Sequence, residues 1–544
     1  MTIVSEQERL GGARFRDSWR NWTRITTIRI IVQAVTFGLF LAFVLLTTFA
    51  SLDRHPGLRH WVSKLLEIDP LISIATAITT HTVYRGLLWS LILLVPTLFL
   101  GRFFCGWICP YGTLHHFVGW LFRNPEQRAV EANRYRKSQA IKYYVLVAIL
   151  VAAAFGTLQI GLLDPICLLY RSFTGSVLPA AETAAPGWLG EARFYQGAWL
   201  IGLLLFGFVA ANLVYPRFFC RVLCPLGALL GVFGRFAWWR IERDPEKCQG
   251  CDRCRLHCEA ACDPHTQLRK SECFVCFNCI EDCPEGALSF AFLPPKEHEV
   301  TAPDVSRRKL VFAGVTGLLF FPFARGTGRT TRDFSSRLIR PPGAVEELEF
   351  LERCVKCDQC ARVCPTNVIQ PDWFEGGLEG LWSPVLNFRM GHCQLNCTAC
   401  GQVCPTGAIQ RIPVAEKLGL GEFSDRGPVR LGTAHIDPGR CLPHSKNVPC
   451  VVCEEVCPTS PKAIYGESVT RTSRDGEAIE LRLPRVDVDR CIGCGLCENK
   501  CPVVGDRRAV YVTAEGESRS GNCPQPDRNR SFRPTEMVRT AGPT

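Results

Sequence analysis

The sequence predicts an α-helical membrane bundle, four helices plus a short fifth, joined to two α+β domains organised around cysteine clusters. Three observations carry that prediction. Four segments, at about 26–50, 84–101, 141–163 and 196–215, are long and apolar enough to cross a bilayer. Arginines crowd the flanks of these segments. Of the 31 cysteines, 24 fall into six runs of four, behind or between the apolar segments. With 544 residues the chain has room for several domains of ordinary size. Its net charge of +11 does not indicate nucleic acid as a partner, because the basic residues sit beside apolar segments, as at the cytoplasmic face of a membrane.

The flanks orient the helices. Residues 1–29 carry six Arg and three acids, residues 102–142 carry seven Arg or Lys against two acids, and residues 216–243 carry five Arg against one Glu. The loops 51–85 and 162–195 are nearly balanced. An excess of Lys and Arg marks the cytoplasmic side. Residues 1–25 are therefore read as a cytoplasmic amino terminus. Four crossings within a 26–240 membrane domain return the chain to the same side, in a multi-pass protein of the bacterial inner membrane.

A repeat lies where the second and fourth helices reach the cytoplasm: FFCGWICPYGTL (Cys105, Cys109) and FFCRVLCPLGALL (Cys220, Cys224). A three-residue spacer puts both thiols of a pair on one helical face. Four thiols brought together by pseudo-symmetry would hold a metal or a cluster; a thiol–disulfide pair and plain structural cysteines are the other readings. His115, His116 and Asp164 are candidates for the proton acceptor that a quinol site needs, with polar anchoring at the interface as the bland alternative.

The six runs have iron–sulfur spacing. CVKCDQCARVCP (Cys354, Cys357, Cys360, Cys364) and CIGCGLCENKCP (Cys491, Cys494, Cys497, Cys501) read C-x2-C-x2-C-x3-C-P, the bacterial ferredoxin run. Two-residue spacers let three thiolates converge on one cubane, and the fourth cysteine usually serves the neighbouring cluster. Zinc sites pair two C-x2-C units and seldom use a triple ending in Cys-Pro. Spacings this short also argue against disulfides.

The first two-cluster ferredoxin domain is expected at 241–295, with Cys248, Cys251, Cys254 and Cys258 in one run and Cys273, Cys276, Cys279 and Cys283 in the next. Cys258 has the ordinary spacing; Cys262 is the alternative. Exchange of fourth cysteines would group Cys248, Cys251 and Cys254 with Cys283, and Cys273, Cys276 and Cys279 with Cys258. A four-cluster domain is expected at 346–512. Besides the two regular runs it holds Cys393, Cys397, Cys400 and Cys404, and Cys441, Cys450, Cys453 and Cys457, whose first spacers are lengthened. Adjacent and nested pairing of its runs fit the spacing equally. Stretches such as RAVYVTA and GAIQRIPV fit hairpins and short helices. Six 4Fe-4S clusters follow for the whole chain.

Between the two domains, 296–345 reads as a linker containing SRRKLVFAGVTGLLFFPFARG. Arg307-Arg308 resembles a twin-arginine export signal, and 310–323 is a 14-residue apolar run suited to its hydrophobic region. If it works, the second ferredoxin domain is periplasmic. Residues 513–544 have the composition of a disordered tail containing Cys523; Cys523 and Cys167 are read as plain thiols. No dinucleotide fingerprint, P-loop or haem-attachment motif is present.

The two C-x3-C-P motifs in a helical block, followed by a two-cluster segment, resemble the NapH/MauN membrane ferredoxins, whose core is shared by NosR and the CcoG-type accessory proteins. Residues 306–512 resemble the NapG/MauM ferredoxins. The resemblance implies a fusion of the two: a membrane polyferredoxin moving electrons from quinol to a periplasmic oxidoreductase or cytochrome. The CcoG resemblance also allows a maturation factor that reduces or assembles a metal centre in another enzyme, and a redox sensor tethered to the membrane is a third alternative. The quinone pool and the membrane are the expected partners.

Overall fold

The computed structural model describes residues 25–50, 56–82, 85–122, 126–185, 193–266, 268–292, 299–300, 303–334, 337–472, 478–505 and 507–519. The expected cytoplasmic amino terminus, most of the expected tail and Cys523 lie outside the described residues. The chain forms two compact units. One comprises residues 1–335, 348–385 and 399–411, the other 336–347, 386–398 and 412–544. Residues 346–512 are thus shared between the two.

The first unit is mainly helical. Its principal helices are α1 (Ile25–Ala50), α2 (Pro56–Glu67), α3 (Pro70–Thr80), α4 (Arg85–Leu100), α5 (Pro110–Leu121), α6 (Ile141–Ala154), α7 (Pro165–Ser172), α8 (Ala198–Val214), α9 (Pro225–Gly234) and α10 (Arg307–Phe334). Helix α6 is central and packs against α3, α9 and α10, while α1 packs against α2 and α5. Isoleucines 28, 30 and 31, Val35 and Leu39 of α1 face outward. An apolar outer face is what a bilayer solvates and water does not.

Among the described residues, three helical stretches are long and apolar enough to cross a membrane: Ile25–Thr48, Arg128–Ala154 and Arg307–Gly326. The segments expected at 84–101 and 196–215 are helical but shorter, at 16 and 17 residues.

Two expectations are corrected. The third apolar segment does not stay helical to residue 163. Helix α6 ends at Ala154, Gly156 takes φ +91° and the Thr157 amide turns back to the Ala152 carbonyl at 3.0 Å. Asp164 then starts α7 by accepting from the amides of Ile166 and Cys167 at 3.0 and 3.4 Å. The fifth helix is not short. It runs 28 residues, about 42 Å at 1.5 Å per residue, well beyond 310–323. Its extension has a partner: Arg325 pairs with Glu352 at 3.1 Å.

The cysteine-rich segment after α9 is closed by an antiparallel ribbon, β1 (Trp239–Arg243) on β2 (Leu288–Phe292), which join its two ends. Trp239 stacks on Phe290 there at 5.3 Å. In the second unit β3 (Thr433–Ile436) pairs with β6 (Val510–Thr513), the strand expected in RAVYVTA. Strands β4 (Ile464–Thr472) and β5 (Ala478–Val486) form a nine-pair hairpin. GAIQRIPV contributes no ladder strand and leads into the short helix Val414–Leu418. Glu347 is buried between Arg340 at 2.6 Å and Arg519 at 2.9 Å, which ties residues 337–347 to the end of the same unit.

Candidate iron–sulfur and thiol sites

All described cysteines are free thiols. Three chambers are each lined by three cysteines of one run and the fourth of its neighbour. Cys248, Cys251 and Cys254 meet Cys283. Cys354, Cys357 and Cys360 meet Cys404. Cys491, Cys494 and Cys497 meet Cys457. The reciprocal of the last set also forms, since Cys441 is close to Cys450 and Cys501, and Cys453 to Cys441 and Cys450. This is the geometry of adjacent runs exchanging their fourth cysteines; the nested arrangement would place Cys501 with Cys354. Cys364 and Cys400 belong to the first unit, Cys393 and Cys397 to the second.

The local cause is backbone handedness. A run can wrap its thiols around one centre only by reversing direction between them. Lys356 (φ +55°) and Asp358 (φ +63°), Gly493 (φ +67°) and Gly495 (φ +74°), and Val275 (φ +49°) and Phe277 (φ +63°) take left-handed conformations between successive ligand positions. A short helix follows each of these reversals, at Gln359–Val363, Leu496–Lys500 and Asn278–Glu281.

The set of Cys273, Cys276 and Cys279 has both Cys258 and Cys262 beside it. Beside it Glu259 is buried among three basic groups: Arg29 at 2.6 Å, His116 at 3.3 Å, and Arg217. Burial alone would raise its pKa. Arg217 and Arg29 outweigh that and hold the carboxylate well below its usual range. Glu272 is likewise buried, against Arg102 at 3.2 Å, Lys142 and Tyr143. Single removal of either acid would leave buried cations uncompensated.

The four C-x3-C-P cysteines do converge. Cys109 lies near Cys105 and Cys220, and Cys224 near Cys220, Cys105 and Cys109. Each pair ends at a proline that starts a helix, α5 or α9, as the sequence repeat implies. The glycine two residues after each proline leaves room for the thiols. A Cβ on Gly227 would stand 3.3 Å from the Cys224 sulfur, and one on Gly112 2.8 Å from the Cys105 carbonyl oxygen. Arg102, Lys142 and Arg217 surround the set, and Arg217 donates to the Cys105 carbonyl at 3.4 Å. Buried cations around thiolates favour an anionic occupant. Among the described residues no group of three or more His, Cys, Asp or Glu is tight enough for a single metal ion. The four thiols offer the same donor chemistry as the ferredoxin sets. Phe274 lies between the two kinds of site: its ring is 4.9 Å from the Arg102 guanidinium and 5.5 Å from that of Arg217.

The other end of the helical block carries a buried acid pair. Asp164 faces Asp69, the N-cap of α3, and the two side chains are within hydrogen-bonding reach. Two carboxylates can only accept, so one must carry a proton. Burial, then the neighbouring Asp69, pushes Asp164 well above its usual range. Cys167 lies beside the pair and in turn beside Cys357. Asp69 escaped the sequence reading because nothing in its local pattern links it to a residue 95 positions away. His115 is fully buried against Tyr111, at 4.8 Å between rings. Burial, then Arg217, pushes it down to about 4, so it is neutral. His116 pairs with Glu259 instead.

The two ends of α1 meet different cysteine segments. At one end Thr26 hydrogen-bonds Glu281 and Arg29 pairs with Glu259. At the other, Arg362 donates to Thr48 at 2.8 Å and pairs with Glu182 at 2.6 Å. Arg171 reaches the Lys356 carbonyl at 3.1 Å, and a Cβ on Gly161 would lie 1.7 Å from the Val355 carbonyl oxygen. The run from Cys354 is therefore seated directly on the loops at that end.

Family models agree with this placement of thiols. A 4Fe-4S binding domain matches residues 82–127 and again 196–242, which contain the two C-x3-C-P motifs. A 4Fe-4S dicluster domain matches 353–408, and a further 4Fe-4S binding domain matches 484–504. The chain is 30% identical over 206 residues to the uncharacterised protein MJ0749 of Methanocaldococcus jannaschii, covering 37% of this chain and 69% of that one. It is 29% identical over 172 residues to the methylamine utilization ferredoxin-type protein MauM of Methylophilus methylotrophus, 31% of this chain and 67% of the relative. No solved structure matches. Similarity to the ferredoxin-type protein NapG of Escherichia coli reaches 33% identity over 190 residues, 34% of this chain and 75% of NapG. Four-thiol chambers built by neighbouring runs, matches to three 4Fe-4S domain models and this relative together make the chain a member of the ferredoxin-type electron-transport proteins.

Proposed function

We propose that the chain is a membrane polyferredoxin of the bacterial cytoplasmic membrane, carrying electrons from quinol to a periplasmic oxidoreductase. The observation that carries this reading is the opposed seating on α1. The segment with Cys248–Cys283 binds its Thr26–Arg29 end, and the segment with Cys354–Cys364 binds its Thr48 end. Twenty-two residues of helix separate these anchors, about 33 Å, the thickness of a hydrocarbon core. Helix α10 parallels the same path, from Ser306 at Tyr144 to Arg325 at Gly156.

On this reading the six ferredoxin runs hold six 4Fe-4S clusters, in fourth-cysteine exchange between neighbours. Cys105, Cys109, Cys220 and Cys224 hold a further cluster at the cytoplasmic end of the bundle. The clusters supply one-electron steps. The chain's own residues fix their spacing and charge: Arg102 and Arg217 balance thiolates between the first domain and the C-x3-C-P set. Asp69 and Asp164 hold a proton beside Cys167, which in turn neighbours Cys357, at the end where a quinol's protons would be released.

The test has two parts. Reporter fusions after residues 295 and 345 should read cytoplasm and periplasm respectively. A cytoplasmic reading at both overturns the crossing and makes the chain a cytoplasmic relay. The purified protein should hold about 24 iron atoms from six clusters of four, and about four more with the C-x3-C-P set loaded. A value near eight defeats the six-cluster reading.

A further inference from the structure

One cluster site has one thiol too many. Cys273, Cys276 and Cys279 need one further ligand, and two are offered. The sulfurs of Cys258 and Cys262 are 3.7 Å apart. Cys262 is also within hydrogen-bonding reach of Cys273, and Cys258 neighbours Cys276 and Cys279. All five side chains are buried, Cys258 and Cys262 to 3% exposure each.

The loop that presents the pair is under constraint. Ala261 (φ +51°) and Asp263 (φ +52°) are both left-handed, a conformation that costs a residue with a Cβ roughly 1 kcal/mol. Such backbone persists only where surrounding contacts fix it. They do so here. Arg221 donates to the Cys258 carbonyl at 3.0 Å and to the Glu259 carbonyl at 2.9 Å. The Arg269 amide donates to the Cys262 carbonyl at 2.9 Å. Both backbones are thereby held through their carbonyls, by bonds that do not engage the two sulfurs. A loop required to present only Cys258 has no need of the reversal at Ala261 that turns Cys262 back to the same point.

We propose that Cys258 and Cys262 are alternative ligands to one iron of this cluster and exchange by side-chain rotation. The inference rests on the cluster assignment above. In the exchange the bond from iron to the Cys258 sulfur breaks and that to the Cys262 sulfur forms. The proton on Cys262 passes to the released Cys258 thiolate, so charge and electrons are unchanged. The 3.7 Å separation makes that transfer direct. The exchange gives this site two ligand states next to Glu259, the neighbour of Cys258 in sequence that pairs with Arg29 and Arg217.

Full-length protein in detergent, prepared without oxygen as wild type, Cys258→Ser, Cys262→Ser and the double variant, decides the matter by iron content and by electron paramagnetic resonance of the reduced state. Each single variant should keep the wild-type iron, and the double should lose about four iron atoms. Wild type should show two signals from this site, each single variant only one. Loss of the cluster in Cys258→Ser with no change in Cys262→Ser overturns the proposal, as does the converse. Full iron in the double variant removes both residues from the ligand set and overturns it too. Should the serine variants misfold, seen as loss of more than one cluster's iron, Cys262→Ala keeps the buried volume small and apolar. A wild-type spectrum identical to that of Cys262→Ala then overturns the exchange. If the protein binds no iron at this segment at all, even as wild type, the cluster assignment fails rather than the exchange.

Discussion

Lys417 shows how one side chain can set the property of a cluster that its run only positions. It is 5% exposed and donates to the Cys393 sulfur at 3.3 Å and to the carbonyls of Gln394 and Cys397 at 2.6 and 2.7 Å. A cluster gains negative charge on reduction, so a cation at a ligand sulfur stabilises the reduced form and raises the potential. Lys417→Met should lower the potential of the cluster that Cys393 serves by roughly 60 mV, a tenfold change for a one-electron couple. Redox-titrated electron paramagnetic resonance reads it; an unmoved potential would leave Lys417 a merely structural donor. At this scale the sequence was legible where chemistry is local. The cysteine spacing announces its clusters because two-residue spacers are geometry written in the chain. Lys417 lies 24 residues from Cys393 and Asp69 lies 95 from Asp164, and neither distance leaves a pattern to read.

Elements meet through close backbone approaches as much as through side chains. The turn after α6 brings Gly161 so near Val355 that a single added methyl would overlap its carbonyl oxygen. Gly161→Ala should push the Cys354–Cys357 loop off its seat and cost about 1–3 kcal/mol. Thermal unfolding followed at the cluster absorbance measures this. Gly207→Ala on α8, where nothing lies within 4 Å, is the control and should be neutral or slightly stabilising. A Gly161→Ala protein as stable as that control would mean the loop yields freely. The same turn explains why hydropathy overran the end of α6. Residues 155–163 are apolar enough for a helix, yet Gly156 and the docking of Val355 take them out of it. Helix α10 shows the opposite error: its apolar run ends at Phe323, but Arg325 finds Glu352 and the helix continues.

For the molecule as a whole, the seating of the Cys354 segment depends on Arg362. Its guanidinium and Glu182 are each about 1% exposed and join residues 180 positions apart. Breaking a buried pair from one side strands the other charge, at about 3–5 kcal/mol. Arg362→Met should therefore destabilise by that amount, and Arg362→Met with Glu182→Leu should recover most of it. Denaturant unfolding of the four proteins of this cycle checks the prediction; a cost below about 1 kcal/mol, that of an exposed pair, would dismiss the latch. The order of the segments and their cysteine content were readable from sequence, because long apolar helices and ferredoxin runs are both local signals. The tie between them was not, since it is made by single arginines drawn from a chain with many.

Helix α1 is held at both ends, by Glu259 and Glu281 at one and by Arg362 at the other. A transmembrane helix normally absorbs a change in bilayer thickness by tilting. On the membrane reading proposed above, a helix pinned at each end cannot tilt without tearing a cysteine segment from its seat. The lipid would then do the adjusting, thickening or thinning around a rigid spacer. On that reading, acyl chain length rather than headgroup is the property of the host membrane to which this chain would respond most directly.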